Sequence, residues 1–279
     1  MSLSASSKTG NFTKRILAAI VLAPIGIWAV MTGGIGLILI TGVAAIVCAC
    51  EWALMVSHNL PKWKRICICA VLSSGALTGV LVGSYHGLSI VLAVSAAAGL
   101  IAWVIGVVFR NNPASLLFGA IYVSLPFGAF IYLREFSDNA QMMMIAIFVI
   151  VWGTDSAGYL AGKAYGGPLL SPKNSPGKTW TGAIGGVIYA ALAGAAVSNL
   201  TQTSLILWLV WAIFLSIASQ QGDLLESSFK RRFGIKDMSN IIPGHGGLLD
   251  RLDGLMAAVT VAALINMFLP QFVAGLMGE

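Results

Sequence analysis

An all-α polytopic membrane bundle of about nine transmembrane helices is the fold this sequence predicts, and three features of the chain predict it. Of 279 residues, 58% are hydrophobic and only 9% charged, with a mean hydropathy of +0.89. A soluble domain carries about 25% charged residues, so too few charges are present to cover a water-facing exterior. Apolar runs long enough to cross a bilayer recur along the whole chain. The 32 glycines supply small surfaces at which membrane helices can meet closely. A large soluble core is excluded by the same pattern.

Taken in order, the runs fall near 15–32, 34–56, 66–84, 88–109, 114–133, 141–162, 181–199, 204–222 and 254–275. A spanning helix needs about 20 mainly apolar residues. The first two are divided only by a short turn at Thr32-Gly33-Gly34. Pro24 and Pro126 lie inside runs, where a membrane helix tolerates them better than a soluble one. Met1 to Gly10 are polar and show no signal-peptide cleavage pattern, so the first run is expected to stay in the mature protein. Four cysteines form two C-x-C pairs, Cys48/Cys50 and Cys67/Cys69, inside apolar runs. No Cys/His spacing for zinc accompanies them, and they read as ordinary core residues.

Counting basic residues in the connections sets an expected orientation. With a cytoplasmic N-terminus, 15 of the 16 Lys and Arg residues fall inside and only Arg134 falls outside. Nine spans then put the C-terminus on the far side, as in a multi-pass protein of the bacterial inner membrane. The net charge of +6 belongs to short loops that meet anionic headgroups, so nucleic acid is not an expected partner. Residues 1–140 read as N-terminal transmembrane helices. Residues 141–279 read as a catalytic region with two long cytoplasmic connections, 163–180 and 223–253.

Acidic residues are scarce, which makes their placement informative. Five of the ten, Asp223, Glu226, Asp237, Asp250 and Asp253, lie between 223 and 253, and Asp155 lies within the sixth run. Ionisable groups at membrane depth are costly and mark functional sites. Asp223 and Glu226 are three apart, as are Asp250 and Asp253, so each pair shares a helix face wherever a helix covers it. Asp223 and Asp250 are candidate ligands for a hard cation, since Mg²⁺ takes a few carboxylates together with water and phosphate oxygens. Glu226 and Asp253 suit supporting roles equally well. Ion pairing with Arg231, Arg232 or Arg251 is the competing, purely structural reading.

The same stretch holds Lys230, Arg231, Arg232 and Lys236, then Pro243-Gly244-His245-Gly246-Gly247. Cations beside a metal suit transfer of phosphoryl or nucleotidyl groups, where neutralising phosphate charge is most of the catalysis. A second polar stretch runs Ser171-Pro172-Lys173-Asn174-Ser175-Pro176-Gly177-Lys178-Thr179-Trp180. Its Gly-Lys-Thr triplet lacks the upstream glycine and strand of a Walker A motif. Lys173, Ser175 and Lys178, beside a helix start, are still candidates to hold phosphate.

The segments Ser227-Ser228-Phe229-Lys230-Arg231, Lys236-Asp237 and His245-Gly246-Gly247-Leu248-Leu249-Asp250-Arg251-Leu252-Asp253 resemble the signature of the phosphatidate cytidylyltransferases, or CDP-diacylglycerol synthases. The 171–180 stretch and the Asp155 segment are similar to that family's bacterial members. Nothing family-specific is visible in residues 1–140. The resemblance implies attack of the phosphatidate phosphate on the α-phosphorus of CTP, with pyrophosphate leaving. It implies Mg²⁺ bound by Asp223 and Asp250, with the presence of a second cation left open. Ser227 and Lys230 would contact phosphate, and Asp253, from the carboxylate cluster above, is counted beside them as a catalytic candidate. Arg231, Lys236, His245 and Arg251 would join Lys173, Ser175 and Lys178 around the substrates. The residues themselves point to neither cytidine nor phosphatidate.

Other readings are weaker. The aspartate motif of CDP-alcohol phosphotransferases is absent. A transporter needs polar groups along a path to both faces, and the outer halves of these runs offer almost none. A relative acting on ether lipids has the same chemistry and stays open. The Gly182-Ala183-Ile184-Gly185-Gly186 stretch would permit close helix contact, including in a homodimer.

Overall fold

The computed structural model describes residues 24–135, 139–239 and 246–278. Residues 24–32 are helical and end at Gly33, and the remainder of the expected 15–32 span lies outside the described residues. Gly33 and Gly34 have φ of 64° and 57°. Two successive left-handed residues reverse the chain at small cost only when both lack a Cβ. This turn delivers α1 (Gly34–Val56), followed by α2 (Lys62–Tyr85), α3 (Leu88–Phe109), α4 (Pro113–Glu135) and α5 (Ala140–Tyr165). A two-stranded antiparallel hairpin, β1 (Leu169–Ser171) and β2 (Ser175–Thr179), leads into α6 (Trp180–Thr201). Then come α7 (Leu205–Arg232), α8 (Leu249–Phe268) and the short α9 (Pro270–Met277).

Among the described residues, α1 to α8 are each long and apolar enough to cross a membrane, and the chain is a multi-pass membrane protein. Their outward faces are apolar, as at Leu39 (63% exposed), Val108 (68%) and Leu192 (65%). Such a surface is stable only against lipid.

Three expectations need revision. The 204–222 span does not stop there: α7 continues to Arg232, so the first third of the expected 223–253 loop is helix. The connection expected over 163–180 is shorter, because α5 runs to Tyr165, and it contains the β hairpin. The last span, expected over 254–275, starts earlier at Leu249 and stops at Phe268. Pro270 ends it, because proline has no N–H to donate and its ring blocks the preceding turn.

Small residues decide how closely the helices pack. A Cβ on Gly83 would come within 2.3 Å of the Gly128 carbonyl, which brings the α2 and α4 backbones together. Gly182, Gly185 and Gly186 of α6 face Gly158, Ala161 and Thr154 of α5, so that stretch is used within the chain. Thr179 caps α6 by accepting the Gly182 N–H at 3.1 Å, which joins the hairpin to the helix it precedes.

Candidate active site

Helical continuation of α7 to Arg232 places Asp223, Glu226, Ser227 and Lys230 on successive turns of one face. The equivalent face of α8 carries Asp250 and Asp253 in its first turns. The two helices meet closely because Gly222 has no side chain: a Cβ there would lie 2.7 Å from the Asp253 carbonyl oxygen and 2.6 Å from Ala257 Cβ.

Lys230 sits between the two helices. Its Nζ is 2.7 Å from Glu226 Oε2 and 2.7 Å from Asp250 Oδ1, and its side chain is only 11% exposed. Glu226 and Asp250 are buried almost completely, at 0% and 5% of their side-chain surface. Charges in such a place need partners and hydrogen bonds to be held there. Asp250 has both: its Oδ2 accepts from Met238 N at 3.0 Å and Gly247 N at 2.8 Å. Those two amides fix the carboxylate plane, and its Oδ1 stays turned toward Lys230.

A second ion pair joins Lys178 on β2 to Asp223 Oδ2, and Ser227 Oγ donates to Asp223 Oδ1 at 3.4 Å. Here the side chains are 28% and 30% exposed, so this pair faces the cavity rather than the protein interior. The hairpin therefore acts as an arm that lays a lysine across an aspartate of α7.

Lys178 and Asp223 of the second pair and Asp250 of the first line a cavity of about 930 Å³. Asp155, Lys163, Lys178, Asp223, Asp250, Arg251 and Asp253 line its charged end, and Ile40, Phe127, Phe130, Phe148, Trp152 and Val259 line its apolar part. A molecule with an anionic head and apolar tails fits this division of the wall.

The structure thus brings Lys178, Asp223, Asp250, Arg251 and Asp253 together on one cavity, with Ser227 and Lys230 directly behind the aspartates. Lys173 lies exposed at the hairpin turn, and Ser175 pairs with Ser171 across the strands. Arg231 donates from Nε to the Asn174 carbonyl at 3.3 Å and from Nη1 to the Ile235 carbonyl at 3.2 Å. It ties the hairpin to the end of α7 and is absent from the cavity wall. Lys236 is exposed in the connection after α7, and His245 lies outside the described residues.

Two residues of this region carry no role in the sequence reading. Lys163, in the last turn of α5, lines the cavity. Glu51 of α1, only 1% exposed, reaches the start of α8 from 197 positions away. A carboxylate inside an otherwise apolar run was the available signal for Glu51.

Fold and site together define a multi-pass membrane protein with a carboxylate–lysine centre at the charged end of an otherwise apolar cavity. The chain belongs to the cytidylyltransferase family, whose model matches residues 13–269. It is 38% identical over 263 residues to the phosphatidate cytidylyltransferase of Brucella suis, covering 92% of this chain and 93% of that protein. The phosphatidate cytidylyltransferase of Pseudomonas aeruginosa is 34% identical over 266 residues, covering 90% and 96%. That of Haemophilus influenzae is 37% identical over 188 residues, with 63% of each chain covered.

Proposed function

We propose that the protein transfers the cytidylyl group of CTP to phosphatidate, giving CDP-diacylglycerol and pyrophosphate for phospholipid biosynthesis. The observation that carries this reading is the single cavity that joins a charged end to an apolar wall inside a membrane bundle. A lipid phosphate can enter it with its tails still in an apolar surround, while a water-soluble nucleotide meets the lysines. The similarity to phosphatidate cytidylyltransferases over nearly the whole chain supports the same substrates.

In this mechanism a phosphate oxygen of phosphatidate attacks the α-phosphorus of CTP, and the bond to the β-phosphate bridging oxygen breaks. Pyrophosphate leaves with that electron pair. A phosphate monoester is already ionised near neutral pH, so no base need remove a proton first. Lys178 and Arg251 hold phosphate oxygens at the cavity wall, and Lys163 adds a third cation there. Lys230 keeps Asp250 in place from behind. Positioning of two anions side by side is the main contribution of these groups.

Asp223 and Asp250 suit a bound Mg²⁺: both are hard oxygen donors on one cavity wall. The Asp223 side chain is 30% exposed, and Asp250 is held rigid by two amides. Among the described residues no group of three or more His, Cys, Asp or Glu side chains is arranged to hold a metal by itself. Phosphate oxygens of the substrates would complete the shell, and the ion would offset charge on the leaving pyrophosphate.

The bias of basic residues toward one set of loops supports a cytoplasmic N-terminus and a site at the inner leaflet of a bacterial inner membrane, the side that holds CTP. Pyrophosphate release by the purified protein tests the reaction. Release that needs CTP and phosphatidate together is expected. Release from CTP alone would point to simple hydrolysis and contradict the proposal.

A further inference from the structure

The start of α8 poses a problem that its own sequence does not solve. The first amides of a helix have no partner within it and need acceptors from elsewhere. Here the N-cap position is Leu248, whose side chain accepts nothing. The acceptor comes from a different helix. Glu51 of α1 accepts Leu248 N at 3.0 Å on Oε1 and Leu249 N at 2.8 Å on Oε2, and Ser239 Oγ donates to Oε1 as well. The carboxylate also occupies the space beside Gly247, where a Cβ would lie 2.8 Å from either oxygen.

The amides and the carboxylate reinforce one another. A negative charge at a helix N-terminus is favoured by the helix dipole, and a buried carboxylate needs donors. The neighbouring amide, Gly247 N, is one of the two that fix Asp250 Oδ2. Met238 N, the other, precedes Ser239, which is also held by Glu51. Glu51 therefore grips both chain segments from which Asp250 takes its backbone hydrogen bonds.

Helix α1 is also tied to α4 and touches α7 through one ring. Trp52, the next residue, donates to the Ser115 carbonyl at 3.0 Å and packs its ring 4.9 Å from Phe229, one residue before Lys230. Phe118 of α4 stacks on Phe229 at 4.7 Å. One turn of α1 thus fixes the amide end of α8 through Glu51 and the lysine end of α7 through Trp52.

The geometry points to Glu51 as a positioning residue for Asp250, holding the 247–249 backbone so that the aspartate faces the cavity in one orientation. This role rests on the proposed cytidylyl transfer. It gives the N-terminal helices a part in positioning the site carboxylates, beyond the apolar cavity wall they supply at Ile40, Phe127 and Phe130. Glu51 is absent from the cavity wall, so it acts through Asp250.

The test compares the full-length protein with Glu51→Gln, Glu51→Ala and Ser239→Ala, using both turnover and amide hydrogen exchange. In Glu51→Ala, amides 248 and 249 should exchange about tenfold faster, with exchange in α2, α3 and α4 unchanged. Turnover should fall by about 10- to 100-fold, mostly in kcat, as for other residues that orient a site carboxylate. Glu51→Gln keeps the volume and one acceptor oxygen and should lie between, and Ser239→Ala should show the smallest loss. Wild-type exchange at 248 and 249, or wild-type kcat, in a folded Glu51→Ala protein would overturn the role. Loss of protection throughout the bundle in both Glu51 variants would also overturn it, since Glu51 would then be scaffold. A wild-type protein without cytidylyl transfer would refute the proposed function, while the exchange comparison would still decide whether Glu51 holds this backbone.

Discussion

Lys230 on α7 and Asp250 on α8 are joined at 2.7 Å, and the same ammonium lies 2.7 Å from Glu226 one turn earlier on α7. One buried cation therefore links two site helices and serves two carboxylates at once. Removing one member of such a group leaves the others buried without compensation, which costs more than the pair contributes when intact.

Lys230→Met is accordingly expected to lower stability by about 3 kcal/mol and to abolish turnover. Adding Glu226→Gln to that variant removes one stranded charge and should recover part of the stability, but none of the activity. Thermal unfolding in detergent and turnover of the single and double variants check both statements. A single variant as stable as wild type would show that Lys230 does not hold the helices together.

The Lys178–Asp223 pair behaves differently, because its side chains are 28% and 30% exposed. Exposed pairs contribute little, so Lys178→Gln should change stability by no more than about 1 kcal/mol. If Lys178 holds phosphate, the apparent KM for CTP should rise about tenfold, the cost of one charged hydrogen bond. Steady-state kinetics at varied CTP, beside a melting curve, separate these effects.

Close approach of α7 and α8 at Gly222 gives a packing prediction. A Gly222→Val side chain meets the Asp253 carbonyl and Ala257, so the helices must part, at a cost of about 1–3 kcal/mol. Activity should fall with it, since Asp223 and Asp250 stand on the separated helices. Gly36→Ala in α1 is the matched control: the nearest atom to its Cβ position is 3.8 Å away, an ordinary contact, and it should be neutral.

Orientation can be read with reporter fusions. An enzyme active only outside the cytoplasm should be inactive at the N-terminus and active at the C-terminus, because 15 of the 16 basic residues then lie inside. The reverse pattern would put the charged end of the cavity on the wrong side for CTP.

Much of the fold is legible in hydropathy and punctuation. The bounds of α1 and α3 coincide with the apolar runs 34–56 and 88–109, because glycine and short polar turns mark their ends. The end of α7 is not legible that way. Half of residues 223–232 are charged, and a hydropathy window reads charge as loop, although the spacing of Asp223, Glu226, Ser227 and Lys230 is helical. The hairpin escapes because strands of three and five residues carrying Pro176 and Gly177 leave no alternation to find. Within the site, Asp223, Asp250 and Lys178 stand out as scarce charges in an apolar chain. The grip of Glu51 on amides 197 and 198 positions away has no local pattern at all. Arg231 is grouped with the substrate residues by its neighbours alone, and the two carbonyls that the fold gives its guanidinium are not visible in the sequence.

The most direct measurement follows radiolabelled CTP into the lipid phase, using purified protein, phosphatidate and Mg²⁺, with wild type, Asp223→Asn and Asp250→Asn in parallel. Label should enter lipid only with wild type and only when all components are present, and a chelator should stop it until Mg²⁺ is restored. Both variants should stay folded and transfer almost nothing. Wild-type transfer by either folded variant would contradict its assignment as a metal ligand. No transfer by folded wild-type protein, across several phosphatidates and ether-lipid analogues, would contradict the proposed reaction itself.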